Sequence, residues 1–182
     1  TQNVQRELIW EKKSESNKRR AGIRLLLTAH KGCSKVSKTE ANEVEQVFNS
    51  LLQHASLKVG DSIRRVQAKD ILVIAPYNMQ VELLKTCLPE GSKVGTIDKF
   101  QGQEAEVVIV SMTTSGPEEI GRDANFLFSK NRLNVALTRA KCLAIVLFSA
   151  RLLTFPCRTP EQINLLNTFC WLQQRYATED ET

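Results

Sequence analysis

The amino-acid sequence predicts an α/β fold in which helices cover both faces of a parallel sheet. Five short apolar runs, rich in β-branched residues, occur along the 182-residue chain. The runs are nearly continuous rather than alternating with polar residues, which is typical of strands buried on both faces. Helical patterns lie between them, and this alternation predicts right-handed crossovers within one sheet. The predicted strands are Ile23–Ala29, Ile71–Ala75, Val94–Ile97, Val107–Met112 and Cys142–Phe148.

Three helices are predicted between these strands. The first is Glu40–Leu57, where apolar residues recur at helical spacing. A shorter helix, Gln80–Leu88, is followed by proline and glycine, and the third is Asn131–Ala140. Two polar segments rich in turn-forming residues are predicted to be surface loops, namely Lys58–Lys69 and Ser115–Asp123.

One folded domain is expected over residues 21–176. Residues 1–20 carry six lysines and arginines, five of them among polar residues at positions 12–20, a composition that favours a mobile basic tail or linker. A nucleic-acid contact is the minority interpretation of this segment. Residues 177–182 are predicted to be a second tail. Because the sequence starts at Thr1 rather than at methionine, we expect it to be part of a longer parent chain.

Composition narrows the classes of function. A formal charge of +5 and a pI near 9.0 fit an anionic partner without requiring one. The five cysteines are scattered, with no Cys-x-x-Cys pair, and His30 and His54 lack partners at metal-binding spacing, so no metal site is predicted. Reduced thiols are expected. Neither a signal peptide nor a run of about 20 apolar residues occurs, and we expect a cytoplasmic location.

Two blocks carry the strongest functional signal. Gly95–Glu104 (GTIDKFQGQE) leads into one predicted strand, and Asn131–Lys141 (NRLNVALTRAK) leads into another. A Gly-x-x-x-x-Gly-Lys-Ser/Thr loop, which would cradle the phosphates of a nucleotide, occurs nowhere in the sequence.

The two blocks resemble motifs V and VI of superfamily 1 helicases, in the branch of the nonsense-mediated-decay helicase and the Okazaki-fragment nuclease-helicase. The likeness is closest to bacterial members fused to RecB-like nucleases. Motif VI is matched by Arg132 through Ala140, although Asn131 replaces its first arginine. Upstream, Pro76 and Tyr77 fit the family's Pro-Tyr-x-x-Gln segment. Motif V, approximately Thr/Ser-x-Asp-x-Phe-Gln-Gly-x-Glu, is matched by Thr96, Asp98, Phe100, Gln101, Gly102 and Glu104.

This resemblance covers about Ile23–Phe148 and implies the C-terminal RecA-like lobe of a helicase, a P-loop NTPase-like lobe without its own phosphate loop. The implied function is ATP-dependent movement along single-stranded nucleic acid, DNA more than RNA. ATP and Mg²⁺ would be held mainly by an N-terminal lobe of the same parent chain, so the isolated chain is expected to be inactive as an ATP hydrolase. A fused nuclease domain is a further partner suggested by the family.

The resemblance also implies a nucleotide site. Arg139 would be the arginine finger, assisted by Arg132, while Gln101, Gly102 and Glu104 would contact the nucleotide, Glu104 at the ribose. Glu104 and Arg139 each directly precede a predicted strand, so in a parallel sheet they meet at one edge. The alternatives are that Arg139 is an ordinary helix-end arginine and that Arg132 pairs with a carboxylate.

The opposite edge is predicted to bind the single strand through Pro76, Tyr77, Thr96, Asp98 and Thr113, which follow the ends of three strands. Hydroxyls and backbone amides suit a sugar-phosphate chain and carry no base code. Two alternatives remain open here, a Tyr77 packed on the sheet and an Asp98 that caps a turn. For the whole chain, the rival function is a non-catalytic nucleic-acid-binding or assembly module that retains the lobe's fold.

Overall fold

The computed structural model describes residues 5–11, 20–100, 102–120, 130–154, 156–157, 160, 163, 166–167 and 170. The strands are β1 Arg6–Trp10, β2 Gly22–Thr28, β3 Ala55–Val59, β4 Ser62–Arg65, β5 Ile71–Ile74, β6 Lys93–Gly95, β7 Ala105–Ser111 and β8 Ala140–Ser149. The α-helices are α1 Lys38–His54, α2 Asn78–Cys87, α3 Pro117–Ile120 and α4 Lys130–Thr138, and 3-10 turns occupy Ala68–Asp70, Ile97–Phe100 and Ala150–Thr154.

Five strands form a parallel sheet in the order β2-β8-β7-β5-β6. Each of the five predicted strands is present, within two residues at either end, and the predicted α/β class is confirmed. Alternate residues of the central strands point to opposite faces, as the pleat requires. Ile109 and Ile145 pack in one apolar cluster with Phe48 of α1, whereas Val108 and Val146 pack in another. Burial on both faces explains why the apolar runs are continuous.

Parallel pairing gives the sheet two chemically distinct edges. The amino edge comprises the residues just before β5, β7 and β8, and the carboxyl edge comprises the residues just after β2, β5, β6 and β7. The two predicted sites fall on different edges, as expected from the sequence. The separation is fixed by register, since Ala105 pairs with Ala140 at one end of β7 and Ser111 pairs with Leu147 at the other.

A second sheet was not predicted. It is antiparallel, in the order β1-β3-β4. The predicted helix Glu40–Leu57 was wrong at its end, because α1 stops at His54 and β3 follows at once. Lys58–Lys69 was likewise wrong as a loop, since it contains β4 and the end of β3. Ala55 and Leu57 are buried while their neighbours are less so, and this alternation specifies a strand that the helical pattern had absorbed.

The mobile-tail prediction for residues 1–20 also needs correction, because β1 lies inside that segment. Leu8 and Trp10 are buried in the main apolar cluster, and the Leu8 N–H donates to the Arg20 carbonyl at 2.7 Å. Burying side chains of this size contributes about 1.5–3 kcal/mol each. The basic residues suggested a tail, although the apolar Leu-Ile-Trp run beside them forms part of β1.

The helices agree with prediction to within two residues at most ends. Ser37 caps α1, with its hydroxyl accepting from the Glu40 N–H at 3.2 Å. The third predicted helix, Asn131–Ala140, is α4, and it ends at Thr138. Among the described residues, no helix has both the length and the apolar character needed to cross a bilayer.

Candidate functional site

At the amino edge, the two motif blocks lie side by side. The Ala105 N–H donates to the Arg139 carbonyl at 3.0 Å, directly ahead of the first paired residues of β7 and β8. Glu104 and Arg139 therefore occupy neighbouring backbone positions although 35 residues separate them in sequence. This proximity follows from the parallel register, and the expectation that the two blocks meet at one edge is confirmed.

Arg139 lies just beyond α4 rather than inside the predicted helix. Its side chain is half-buried, and Nε donates to the Val135 carbonyl at 3.2 Å. That bond uses one of the five guanidinium donors and orients the fork, while the terminal nitrogens carry the others. Arg132 lies in α4, but its side chain is outside the described part of the chain. Because Arg139 is not helical, the two arginines cannot be assigned to one helix face.

Glu104 and Gly102 are exposed at the same edge. The Glu104 carboxylate lies 3.4 Å from Lys141 Nζ, with the two side chains 51% and 37% exposed, so the pair is worth little to stability. Gly102 has φ +78°, and a Cβ placed there would meet no atom within 4 Å. An approaching phosphate would thus meet open backbone, which fits a nucleotide contact. Gln101, predicted for the same contact, lies outside the described residues.

At the carboxyl edge, Pro76 and Tyr77 follow β5. Tyr77 is only 9% exposed and packs in the apolar cluster of Ile74 and Ile97, as the packed alternative proposed. The ring nevertheless has a charged neighbour, since Lys35 Nζ lies 6.0 Å from its centroid. The tyrosine is therefore a buried anchor beneath an exposed lysine.

Thr96 and Asp98 follow β6 at the same edge. Thr96 is half-buried and Asp98 is exposed at the start of the 3-10 turn. The Lys99 N–H donates to the Thr96 carbonyl at 3.1 Å, and Lys99 Nζ lies 5.9 Å from the Phe100 ring. Both predicted residues thus lie where a single-stranded nucleic acid in solution could reach the turn.

Thr113 does not lie on that surface, contrary to prediction. It is fully buried, as are Thr114 and Ser115, so the predicted surface loop Ser115–Asp123 begins in the interior. The Thr113 N–H donates to Glu40 Oε1 at 2.7 Å, and its backbone has φ +70°. The threonine hydroxyl cannot contact a nucleic acid without a rearrangement. Hydroxyl residues after the strand indicated a polar surface, but here they are buried and the Thr113 N–H satisfies a buried carboxylate.

That charge is Glu40, the centre of a buried polar network that sequence reasoning missed. Glu40 Oε1 accepts from the Ser111 hydroxyl at 2.6 Å, and Oε2 lies 3.0 Å from His30 Nε2. His30 Nδ1 lies 2.7 Å from Ser115 Oγ. Gln80 extends the network, accepting from the Ser37 N–H at 2.8 Å and donating to Ser111 Oγ at 3.2 Å.

One signal in the sequence could have revealed this network. Glu40 lies four and eight residues before Val44 and Phe48, so it continues the apolar face of α1 toward the core. A carboxylate on that face requires buried partners. The negative charge of Glu40 also acts on Glu43, whose pKa is raised above its ordinary value first by burial and then by Glu40.

Cys142 is not a candidate nucleophile. All five are free thiols, and burial raises the pKa of Cys142 to about 11, so this thiol stays protonated at neutral pH. Across the ranges that the structure describes, no group of three or more His, Cys, Asp or Glu side chains forms a metal site.

Comparison with protein families identifies the chain. A family model described as an AAA domain matches residues 4–151. The chain belongs to this AAA domain family. The match covers β1 to β8, both motif blocks and Glu40, so the family region contains both edges of the sheet.

Curated relatives of this AAA domain are named as helicases. The chain is 32% identical to the putative helicase mov-10-B.1 of Danio rerio over 78% of its own length and 15% of that protein. It is 44% identical to the DNA polymerase alpha-associated DNA helicase A of Schizosaccharomyces pombe over 42% of the chain and 12% of the relative. A third relative, the RNA helicase Mov10l1 of Mus musculus, is 40% identical over 51% and 8% respectively. The chain thus spans 15% or less of the length of these relatives.

Proposed function

We propose that the chain is the C-terminal motor lobe of an ATP-dependent superfamily 1 helicase. The observation that carries this proposal is the adjacency of Arg139 and Glu104 at the amino edge, where both side chains are accessible to solvent. The names of the relatives support a helicase. A second lobe carrying a phosphate-binding loop would complete the nucleotide site, since this chain has none.

In the proposed mechanism, ATP lies between the two lobes and this chain supplies charge to its phosphates. The Arg139 fork would face the γ-phosphate, where charge develops during hydrolysis, with Arg132 assisting. Glu104 would accept a hydrogen bond from the ribose, Gly102 would let backbone approach a phosphate, and Gln101 would also contact the nucleotide. Mg²⁺ would be held by the other lobe and would neutralise phosphate charge there.

The proposed single strand lies across the carboxyl edge. Exposed Lys31 and Lys35 follow β2, exposed Lys38 begins α1, and Lys35 Nζ lies 6.0 Å from the centroid of the Tyr77 ring. Lysines contact phosphates without reading bases, so binding should tolerate any sequence. We propose DNA as the physiological strand, as the resemblance implies, and expect RNA to compete for the same surface.

Fluorescence anisotropy of labelled single strands tests this function on the 182-residue chain. We expect a Kd of about 10⁻⁴–10⁻⁶ M that weakens steeply with salt and changes little with base sequence. An ATP analogue should bind more weakly still, because half of its site is elsewhere. Tight, salt-resistant binding to one sequence would contradict a motor lobe and favour the rival, a dedicated recognition module.

A further inference from the structure

The segment after β7 holds the loop after β2 in place. We define the basic loop as residues 31–37, between β2 and α1. The Ser115 N–H donates to the Cys33 carbonyl at 2.8 Å, and Ser115 Oγ accepts from the Cys33 N–H at 2.9 Å. The Thr114 hydroxyl donates to the Ser34 carbonyl at 2.8 Å. Three hydrogen bonds therefore fix the backbone of a loop that carries Lys31 and Lys35.

These bonds depend on an unusual turn at Thr113. The Thr114 N–H donates to the Met112 carbonyl at 2.7 Å across a central residue with φ +70°, which is the γ-turn that is rare and strained. Thr113 is the one non-glycine residue with positive φ in the described part of the chain. A strained backbone persists where its surroundings fix it, and such residues concentrate at functional sites.

Glu40 provides that constraint. Its Oε1 accepts from the Thr113 N–H at 2.7 Å and from the Ser111 hydroxyl at 2.6 Å, on either side of the turn's first residue. Its other oxygen reaches His30, which contacts Ser115 and lies directly before the basic loop. One fully buried carboxylate thus joins the end of β7, the γ-turn and the start of the loop.

We propose that Glu40 is a positioning residue for single-strand binding, which stabilises the Thr113 γ-turn and thereby holds the basic loop in place, with Lys35 beside Tyr77. The inference rests on the proposed function for its ligand. Glu40 itself would not touch the strand, because it is fully buried beneath the loop. Its effect is on the arrangement of cations, and a prearranged surface binds more tightly since less ordering is needed on binding.

The first test separates positioning from fold stability by rescue. Glu40→Ala should weaken binding of a labelled single strand about 10-fold per folded molecule, with the folded fraction measured by circular dichroism. Glu40→Gln should recover most of the loss, because its amide oxygen can still accept from the Thr113 N–H. Adding Thr113→Gly to Glu40→Ala should also recover affinity, since glycine adopts φ +70° without strain. Failure of Thr113→Gly to recover any affinity would overturn the proposal.

A second variant decides the matter if Glu40→Ala does not fold. Thr114→Val keeps the side-chain shape and removes the hydroxyl that donates to Ser34, so affinity should fall about 3-fold or more. The matched control is Thr86→Val, in which an exposed hydroxyl on α2 loses a similar bond to a carbonyl, and it should bind normally. Equal affinity of the two valine variants would refute the inference.

An independent readout uses Cys33, a half-buried thiol inside the basic loop. Its alkylation rate, followed by peptide mass spectrometry without nucleic acid, should rise at least 3-fold in Thr114→Val, while that of Cys142 stays unchanged. Unchanged Cys33 labelling would contradict the proposed hold on the loop. A wild-type chain that binds no single strand would overturn the proposed function together with this inference; normal wild-type binding with unaffected variants would overturn the inference alone.

Discussion

The two edges of the sheet are built in opposite ways. At the carboxyl edge, Glu40, Gln80 and Ser111 are fully buried, and each is hydrogen-bonded within this chain. At the amino edge, Glu104 is exposed in a loose ion pair and Arg139 is half-buried beside its own helix end. The chain thus determines the shape of one edge by itself and leaves the other with accessible charges.

This difference indicates how each edge is completed. A surface that binds a flexible strand benefits from being rigid beforehand, because the ordering cost is then already met. Charges that act only when a second lobe closes over a nucleotide need access, and a rigid internal partner would compete with the phosphate. Internal bonding at one edge and accessibility at the other are therefore what the proposed motor lobe requires.

The largest expected effect is on ATP hydrolysis and concerns the amino edge. In the proposed two-lobe parent protein, Arg139→Ala should reduce nucleic-acid-stimulated ATP hydrolysis by about 10³-fold or more while ATP still binds, because the γ-phosphate would lose the proposed arginine finger in the transition state. The melting temperature should hardly change, because the Arg139 side chain makes one described hydrogen bond. Steady-state hydrolysis measures the effect. Arg65→Ala, which removes an exposed arginine of the second sheet, serves as control, and near-normal turnover of Arg139→Ala would eliminate the catalytic role.

The next largest effect is expected at the carboxyl edge and is measured as the free energy of unfolding. Gln80→Met keeps a straight side chain but removes the acceptor for the Ser37 N–H and the donor to Ser111 Oγ, leaving buried polar groups unpaired. We expect a loss of about 2–3 kcal/mol in the free energy of unfolding. The same substitution at the amino edge, Gln103→Met, affects an exposed side chain and should stay within about 0.5 kcal/mol. Urea denaturation of both variants gives the comparison, and equal stabilities would remove the distinction between the edges.

The main sheet was predictable because its signal is local and repeated. Ile71–Ala75 is apolar at every position and Val107–Met112 at every position except Ser111, so an error in register cannot hide these runs. The second sheet was not predictable in this way. Its strands are short and half-exposed, and Ala55, four residues after Leu51, fits both the helical spacing of α1 and the alternation of β3. Only the long-range pairing of β1 with β3 decides between the two patterns.

The site residues differ in the same way, between features that local sequence patterns predict and features that long-range contacts determine. The sequence pattern predicts a parallel sheet and so places Glu104 and Arg139 at one edge, and their adjacency there follows from the pairing of β7 with β8. The burial of Thr113 depends on a carboxylate more than 70 residues away in sequence, at Glu40. Residue type indicated polar chemistry at the carboxyl edge correctly, but whether a hydroxyl faces solvent or a buried charge is set by tertiary packing.

A smaller effect on stability is expected at Asp70, a residue of the amino edge that is hydrogen-bonded within the chain. Asp70, just before β5, accepts from both Arg64 terminal nitrogens at 2.6 and 2.8 Å and from the Gln67 N–H at 2.9 Å. Burial raises the pKa of Asp70, but these hydrogen bonds outweigh burial and the pKa lies below its ordinary value. Asp70→Asn should therefore cost about 1–2 kcal/mol at pH 7.

The pH dependence has a definite sign. Since the folded pKa of Asp70 is lowered, its stabilisation is present above the unfolded value of about 3.9 and is lost as pH falls below it. The difference between wild type and Asp70→Asn in urea denaturation should be constant from pH 7 to 5 and shrink toward pH 3. Asp61→Asn, at the exposed β3–β4 turn, is the control and should show no such trend. A difference that grows on acidification would contradict the assigned contact.

The smallest effect on stability is expected at Glu104. Its pairing with Lys141 at 3.4 Å is exposed, so Glu104→Gln should change the free energy of unfolding by less than about 0.5 kcal/mol. If the carboxylate accepts from the ribose, the same variant of the two-lobe parent should bind an ATP analogue several-fold more weakly. Glu82→Gln removes another exposed carboxylate paired with a lysine and should leave nucleotide affinity unchanged. Calorimetric titration and thermal melting of both variants separate the two cases. A large fall in melting temperature with normal nucleotide affinity would make Glu104 a structural residue. The amino edge would then resemble the carboxyl edge in being held by bonds within the chain.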